Sequence, residues 1–410
     1  MPLTRQLREQ KWILDRIISI QGVESVINWI RRLPFAAGME LYVDYNDFKA
    51  KIKRYDDISR ELIKIGEKRE AMAHRAAAAG HLVTARDNFF SAAVCYNVAH
   101  MTTSEEDLQG MIACNTKKNQ CYDAFIKFAP YPVERIEIPF GDKSLPGYLH
   151  LPAKGQQNWP CVIDIGGLEV LKEILNPVYN NKFIERGIAI LSFDGPGQGE
   201  ARLRNIFFET NDWIRAGQAA MDFAVKRSPV MDSQRIGIRG FSLGIRTASQ
   251  IAANDPRYAA IATHGSGLGG GGGGGRAGGG GSPRRGGPTG PDPTLKEKVM
   301  FMHGFQNEEE FDREFHQRDT FEGVPQKIQC PFLIVTGQSG GMGPVSGTVQ
   351  FYNDLKGPKK LMMYQGEGHE IRQTCDVDAM IADWFRDRFD GKPMVNEIVS
   401  VDSSGIETRR

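Results

Sequence analysis

No apolar run in this chain exceeds strand length, so the sequence predicts no transmembrane helix. Neither sign of charge is in excess. The 51 Lys and Arg residues against 50 Asp and Glu leave a formal charge of +1, which argues against nucleic acid or an anionic membrane as the main partner. Cysteine is sparse and unpatterned. The six (Cys95, Cys114, Cys121, Cys161, Cys330 and Cys375) contain no C-x-x-C, and several sit in apolar contexts. Buried free thiols in a reducing cytoplasm are the reading this supports. No His/Cys cluster has ligand spacing, so neither a metal nor any other cofactor is expected. The first residues, Met1 to Lys11, are too charged for a secretory signal, which again predicts a cytoplasmic location.

What is present is 410 residues of ordinary globular composition, 40% hydrophobic, enough for a large domain plus a smaller one. Residues 1–131 read as helical. Trp12, Ile13, Ile17 and Ile18 recur at helical spacing, and an alanine-dense stretch stops at Gly80. A second helix, about Val83 to His100, pairs with it as a hairpin, giving a helical cap rather than a repeat array. Strands begin near Pro132. An alternation of strands and helices then runs through Cys161–Ile165, a helix ending near Gly187, Ile188–Phe193, a helix from Trp213 to Arg227, and Arg235–Arg239. It continues with Ala259–His264 and ends with Pro331–Thr336 and Lys360–Tyr364. Such alternation predicts an α/β fold: a mostly parallel sheet with helices on both faces. Residues 132–392 form that α/β domain, 265–325 an insertion within it, and 393–410 a C-terminal tail. The insertion opens with glycine runs at 269–275 and 278–281. No Lys-Ser or Lys-Thr follows them at P-loop spacing, so a flexible linker is expected, followed by a charged helical cap segment from Leu295 to about Phe321.

The chemistry concentrates at Gly240-Phe241-Ser242-Leu243-Gly244. A strand precedes this G-x-S-x-G and a helix follows it, which is the context of a nucleophile elbow. The glycines let strand and helix approach, and the turn lifts the hydroxyl above the sheet. A serine hydroxyl needs a base. His369, in Gly366-Glu367-Gly368-His369-Glu370 just past the last predicted strand, is the candidate, while His264 is read as structural. The oxyanion hole needs two backbone N–H groups. One is assigned to Leu243 and the other to the loop Gly166-Gly167-Leu168-Glu169. Glu169 reads equally as a substrate contact or a surface carboxylate. Asp194 and Glu200, in Asp194-Gly195-Pro196-Gly197-Gln198-Gly199-Glu200, read as a braced turn rather than as acid and base. The orienting acid is the anomaly. Gly337 to Pro344 keeps the glycine and proline of a G-x-x-D-x-x-x-P motif, but Gly340 occupies the aspartate position.

Over about residues 132–392 the chain resembles the α/β-hydrolase superfamily. Ile165–Glu169 and Phe193–Glu200, with their spacing to G-x-S-x-G, resemble the group typified by 2,6-dihydroxypseudooxynicotine hydrolase and the fermentation/respiration-switch esterases. The resemblance implies a hydrolase that cleaves a carbon–carbon bond beside a ketone, or a carboxylic ester. By position it implies Ser242 as nucleophile, His369 as base, and Leu243 with the Gly167–Leu168 turn as oxyanion donors. Gly340 in place of the acid, and Ile245 where a further glycine is common, depart from the pattern. Two rivals stand beside the hydrolase: a non-catalytic or weakly active binding or regulatory protein on the same scaffold, and an acyltransferase using the same serine. A small carbonyl compound is the expected substrate, and self-association as a homodimer is a further expectation.

Overall fold

The computed structural model describes residues 5–27, 30, 38, 40–155, 157–168, 170–176, 178–268, 294–318, 321–339, 344–369, 371 and 374–409. Its N-terminal part is helical: α1 (Arg5–Gln21), α2 (Glu40–Lys51), α3 (Asp57–Ala78), α4 (Leu82–Thr102) and α5 (Leu108–Ile126). Gly80, at φ +77°, ends the turn between α3 and α4. α4 is buried without interruption from Asn88 to Thr102. Its Ala, Ser and Cys residues are small enough for α3 and α5 to close over it from two sides, so it shows no amphipathic stripe.

Ten strands form one sheet: β1 (Val133–Phe140), β2 (Lys143–His150), β3 (Trp159–Ile165), β4 (Ala189–Phe193), β5 (Met231–Phe241), β6 (Ala260–His264), β7 (Phe332–Gly337), β8 (Lys359–Tyr364), β9 (Glu397–Val401) and β10 (Glu407–Arg409). Their spatial order is β1-β2-β4-β3-β5-β6-β7-β8-β9-β10, parallel from β4 through β9 and antiparallel at both edges. The period-2 alternation sorts the core. Ile163, Ile238, Ile261, Ile334 and Leu361 face one apolar cluster. Val162, Ala260, Ala262, Leu333, Val335 and Met362 face another. The helices α7 (Asp212–Lys226) and α8 (Leu243–Asn254) cover the first face. α13 (Thr374–Phe389) covers the second.

Two expectations need correction. The segment before Gly187 is a single 3-10 turn, Ile184–Arg186, rather than the end of a helix. Asn180 at φ +56° and the Asn181 side chain, which accepts from the Phe183 and Ile184 amides, hold the chain in turns instead. The C-terminal segment expected as a tail joins the sheet. β9 runs parallel to β8 and β10 folds back on β9. Ile398, Val399 and Val401 are β-formers and pack on the sheet.

Between β4 and α7 lies the short helix α6 (Gly199–Leu203). After β6 the described chain resumes with α9 (Leu295–His303), α10 (Glu308–Arg318) and α11 (Val324–Lys327), and α12 (Val345–Asp354) links β7 to β8. The expected charged helix up to Phe321 is thus broken at Gly304, which takes φ +74°. The glycine runs lie outside the described residues. α9 rests on the turn after β4. The Met302 carbonyl accepts from the Phe208 amide at 3.0 Å, and the Arg202 guanidinium lies 3.9 Å over the Phe301 ring. No helix among the described residues is long and apolar enough to cross a membrane.

Candidate active site

The chain passes from β3 to β4 on one side and then returns to place β5 on the other, so a crevice opens where those connections diverge. The loops leaving β3 and β5 both enter it. Ser242 sits at the end of β5 with φ +56° and ψ −116°, a conformation sterically costly for a residue with a Cβ. Packing leaves no alternative. A Cβ on Gly240 would lie 2.1 Å from the Gly244 carbonyl oxygen, and one on Gly244 would lie 2.3 Å from that of Ile165. Only glycines let β5, α8 and the loop after β3 meet this closely. Ser242 then becomes the residue before α8, at the positive end of its dipole.

The His369 Nε2 lies 2.9 Å from the Ser242 Oγ, so the hydroxyl can donate to the ring. His369 arrives on the loop after β8, which is packed against the loop after β7. The Ser339 amide donates to the Glu367 carbonyl at 2.8 Å, and a Cβ on Gly337 would sit 2.1 Å from the Gly368 carbonyl oxygen. The ring also fits against Gly265, at φ +116°, where a Cβ would come 3.3 Å from its Cε1. On the far side of the ring is Ser266. Its carbonyl and hydroxyl oxygens are each 3.1 Å from Nδ1, and its amide nitrogen is 3.2 Å away. When Nδ1 carries the proton it donates to that carbonyl, leaving Nε2 as the acceptor that Ser242 needs. Neither Gly265 nor Ser266 carried a signal in the sequence, since both fall at the mouth of a glycine-rich tract. His264, which ends β6, faces the Phe241 ring at 5.4 Å between centroids, and its carbonyl accepts from the Ser242 amide at 3.4 Å.

Gly167 lies against Ser242. A Cβ there would be 2.8 Å from the Ser242 Cβ and 3.3 Å from its Oγ. Leu168 follows it, and with Leu243 lines a cavity of about 80 Å³. The rest of the lining is aromatic and apolar (Phe208, Trp213, Met302, Phe315) with His303, Arg246, Thr247 and Asn211 among its polar groups. His303 stacks on Phe208 at 4.4 Å. α9 and α10 therefore supply one wall of this cavity, which Leu168 and Leu243 border while Ser242 and His369 do not line it. Glu169 and Gly340 lie outside the described residues.

Asp194 and Glu200 do not face this cavity. They belong to a buried ionic junction beneath it. Lys172 Nζ is 2.8 Å from Glu173, 2.9 Å from Asp194 and 3.1 Å from Glu200, and Lys118 of α5 pairs with Glu173 at 2.9 Å. Asp194 also accepts from the amides of Lys172 and Glu200, both at 3.0 Å. Burial alone would raise both carboxyls. Lys172 and Lys118 overcome that and hold Asp194 well below the usual range, while Lys172 and Arg135 bring Glu200 to about 2. These two carboxylates therefore stay ionised and brace the turn. No group of three or more His, Cys, Asp or Glu among the described residues could hold a metal ion.

Residues 66–268 match the FrsA-like esterase family. The chain is 30% identical over 250 residues to a 2,6-dihydropseudooxynicotine hydrolase of Paenarthrobacter nicotinovorans, covering 60% of this chain and 64% of that protein. It is 28% identical over 182 residues to the esterase FrsA of Yersinia pestis (strain Pestoides F), covering 43% and 42%. The chain thus spans less than two thirds of the curated relatives it matches. Among solved structures, the 2,6-dihydroxy-pseudo-oxynicotine hydrolase superposes with a TM-score of 0.71 at 24% identity, over 90% of this chain and 98% of that one. AbyA5 superposes with a TM-score of 0.61 at 14% identity, over 90% and 95%. At those identities the likeness is one of fold. Together with the order of the strands and the turn at Ser242, these matches show that the chain has the fold of the α/β hydrolases, with its residues 66–268 similar to the FrsA-like esterases.

Proposed function

We propose that this chain is a serine hydrolase acting on a small carbonyl compound, either a carboxylic ester or a ketone cleaved at its neighbouring carbon–carbon bond. The observation that carries the reading is the 2.9 Å approach of the His369 Nε2 to a Ser242 hydroxyl held on a strained turn. Ser242 attacks the carbonyl carbon while His369 takes its proton. The developing oxyanion is met by the amides of Leu243 and the Gly167–Leu168 turn. His369 then returns the proton to the leaving group, an alkoxide from an ester or a stabilised carbanion from a ketone. Water, activated by the same imidazole, releases the acyl group. An acyltransferase would differ only in that final acceptor. A cytoplasmic location belongs to the same reading.

A second reading, a weakly active or purely binding protein, is favoured by one pair of observations: Gly340 replaces the expected acid, and a neutral serine meets the His369 Nδ1. The Ser266 carbonyl can accept from a protonated Nδ1, but it stabilises an imidazolium less than a carboxylate does, and the Ser266 amide directs its own N–H at the same nitrogen. Turnover of p-nitrophenyl esters separates the two. The hydrolase reading expects measurable turnover that falls by about a hundred-fold in Ser242→Ala, which is what is left of a roughly million-fold triad contribution when the carboxylate's share is missing. It also expects a gain of up to about 10⁴ in Gly340→Asp, the size of the loss when a triad carboxylate is removed. No turnover in either the parent chain or Gly340→Asp would favour the binding protein.

A further inference from the structure

The glutamine of the turn after β4 has no role in the chemistry above, yet its side chain is buried and fully engaged. Gln198 is 2% exposed. Its Nε2 donates to the Gly167 carbonyl at 2.6 Å and lies 3.5 Å from the Gly166 carbonyl. Its Oε1 accepts from the Gly195 amide at 3.3 Å. The opposite amide orientation would set oxygen against two carbonyls and NH₂ against an N–H, so the network itself fixes which way the group points. The backbone of Gln198 is held as well, its amide donating to the Gly195 carbonyl at 2.9 Å. The side chain is therefore a rigid strut between the turn after β4 and the loop after β3, and its strongest bond falls on the one carbonyl that belongs to the Gly167–Leu168 peptide.

In a trans peptide the C=O and the following N–H point in opposite directions. Anchoring the Gly167 oxygen on Gln198 therefore also sets the direction of the Leu168 N–H. Glycines at 166 and 167 would otherwise leave that peptide free to rotate, and an N–H turned away from the nucleophile gives no stabilisation to an oxyanion.

We propose that Gln198 is a positioning residue that presets the Gly167–Leu168 peptide with its N–H towards the oxyanion. The proposal rests on the hydrolase reading. Its role is exerted in the transition state, when charge appears on the substrate oxygen, and little in the ground state. Replacement should therefore lower kcat and leave KM nearly unchanged. Gln198→Met keeps the volume without the donor. Gln198→Glu keeps the acceptor for Gly195 but sets a carboxylate against two carbonyls. Both are expected to lose about 10- to 100-fold in kcat, somewhat less than outright removal of an oxyanion donor. Affinity for a trifluoromethyl ketone, whose serine adduct carries an oxyanion, should fall by the same factor as kcat/KM. Affinity for the corresponding methyl ketone should be unchanged. A merely structural role would lower the melting temperature and the amount of active enzyme without that split, and that outcome overturns the proposal.

The parent chain supplies a test that needs no variant. In a crystal structure of its fluorophosphonate adduct, the phosphonyl oxygen should accept from the amides of Leu243 and Leu168, with Gln198 still bonded to the Gly167 carbonyl. An adduct whose oxygen is held elsewhere overturns the role of Gln198 alone. Failure to form any adduct on Ser242 overturns the hydrolase reading beneath it.

Discussion

Ser242 and Asp194 open turns at the same end of the sheet, just after strands separated only by β3, yet the two turns are held by different physics. The Ser242 turn is held by sterics: glycines at 240, 244 and 167 allow three backbone segments into van der Waals contact, and the turn itself contains no charged residue. The Asp194 turn is held by charge. Lys172, buried completely, is shared by Glu173, Asp194 and Glu200, and the junction extends through Lys118 into the helical N-terminal part. The contrast suits their tasks. The strained turn fixes the Ser242 hydroxyl beside the His369 ring. The turn after β4 must tie three sequence-distant segments together and present Gln198 to the loop beside the serine.

The comparison predicts unequal costs when each support is removed. Lys172→Met leaves three carboxylates buried with too little positive charge, and should cost about 3–5 kcal/mol in urea unfolding, the range for breaking a buried pair. A loss below about 1 kcal/mol would mean that water reaches the junction. Gly240→Ala attacks the other turn. Its Cβ would meet backbone that cannot move aside, and overpacking of this kind costs about 1–3 kcal/mol. Its esterase activity should fall further than its stability suggests, because the strain is relieved at Ser242 itself. Activity unchanged alongside lowered stability would show that the elbow does not need its observed dihedral angles.

Protons sharpen the same contrast. Burial, aided by Lys118, lowers His100 to about 4, and burial alone lowers His150 to about 4. Each is buried neutral, so below pH 6.5 the unfolded chain binds protons that the folded chain does not. Stability should therefore decline from pH 6.5 towards 4, by a few kcal/mol for the two together, on the order of one for each pKa unit. His100→Gln should flatten part of that decline. Glu200, held near 2, and Asp194, also lowered, add stability that is present above the ordinary carboxylate range and lost as the pH falls through their folded values. The smallest effect belongs to a site far from both turns. Asp107 caps α5 by accepting from the Gly110 amide at 2.8 Å, so Asp107→Ala should cost about 1 kcal/mol and leave turnover alone.

The two turns also differ in how legible they were. The alternation of strands and helices, the elbow sequence and the candidacy of His369 follow from local patterns: apolar runs between helical segments, five residues around the serine, and a histidine just past a strand. The junction left no such pattern. Lys118, Lys172 and Glu200 are separated by tens of residues and no local pattern links them, so only tertiary structure joins them. Asp194 was readable as a brace because glycines surround it, but its partners were not. Gln198 was missed for a related reason, since a glutamine among glycines reads as a solvated turn. The strand Glu397–Val401 carried β-branched residues that could have marked it within the segment read as a C-terminal tail.

The central claim is that the Ser242 hydroxyl is a nucleophile primed by His369. The most direct measurement treats the parent chain with a fluorophosphonate probe and maps the label by peptide mass spectrometry, with His369→Gln alongside. The account predicts one adduct, on Ser242, formed far more slowly in His369→Gln. Labelling at another residue, or equal rates in the two proteins, would contradict it.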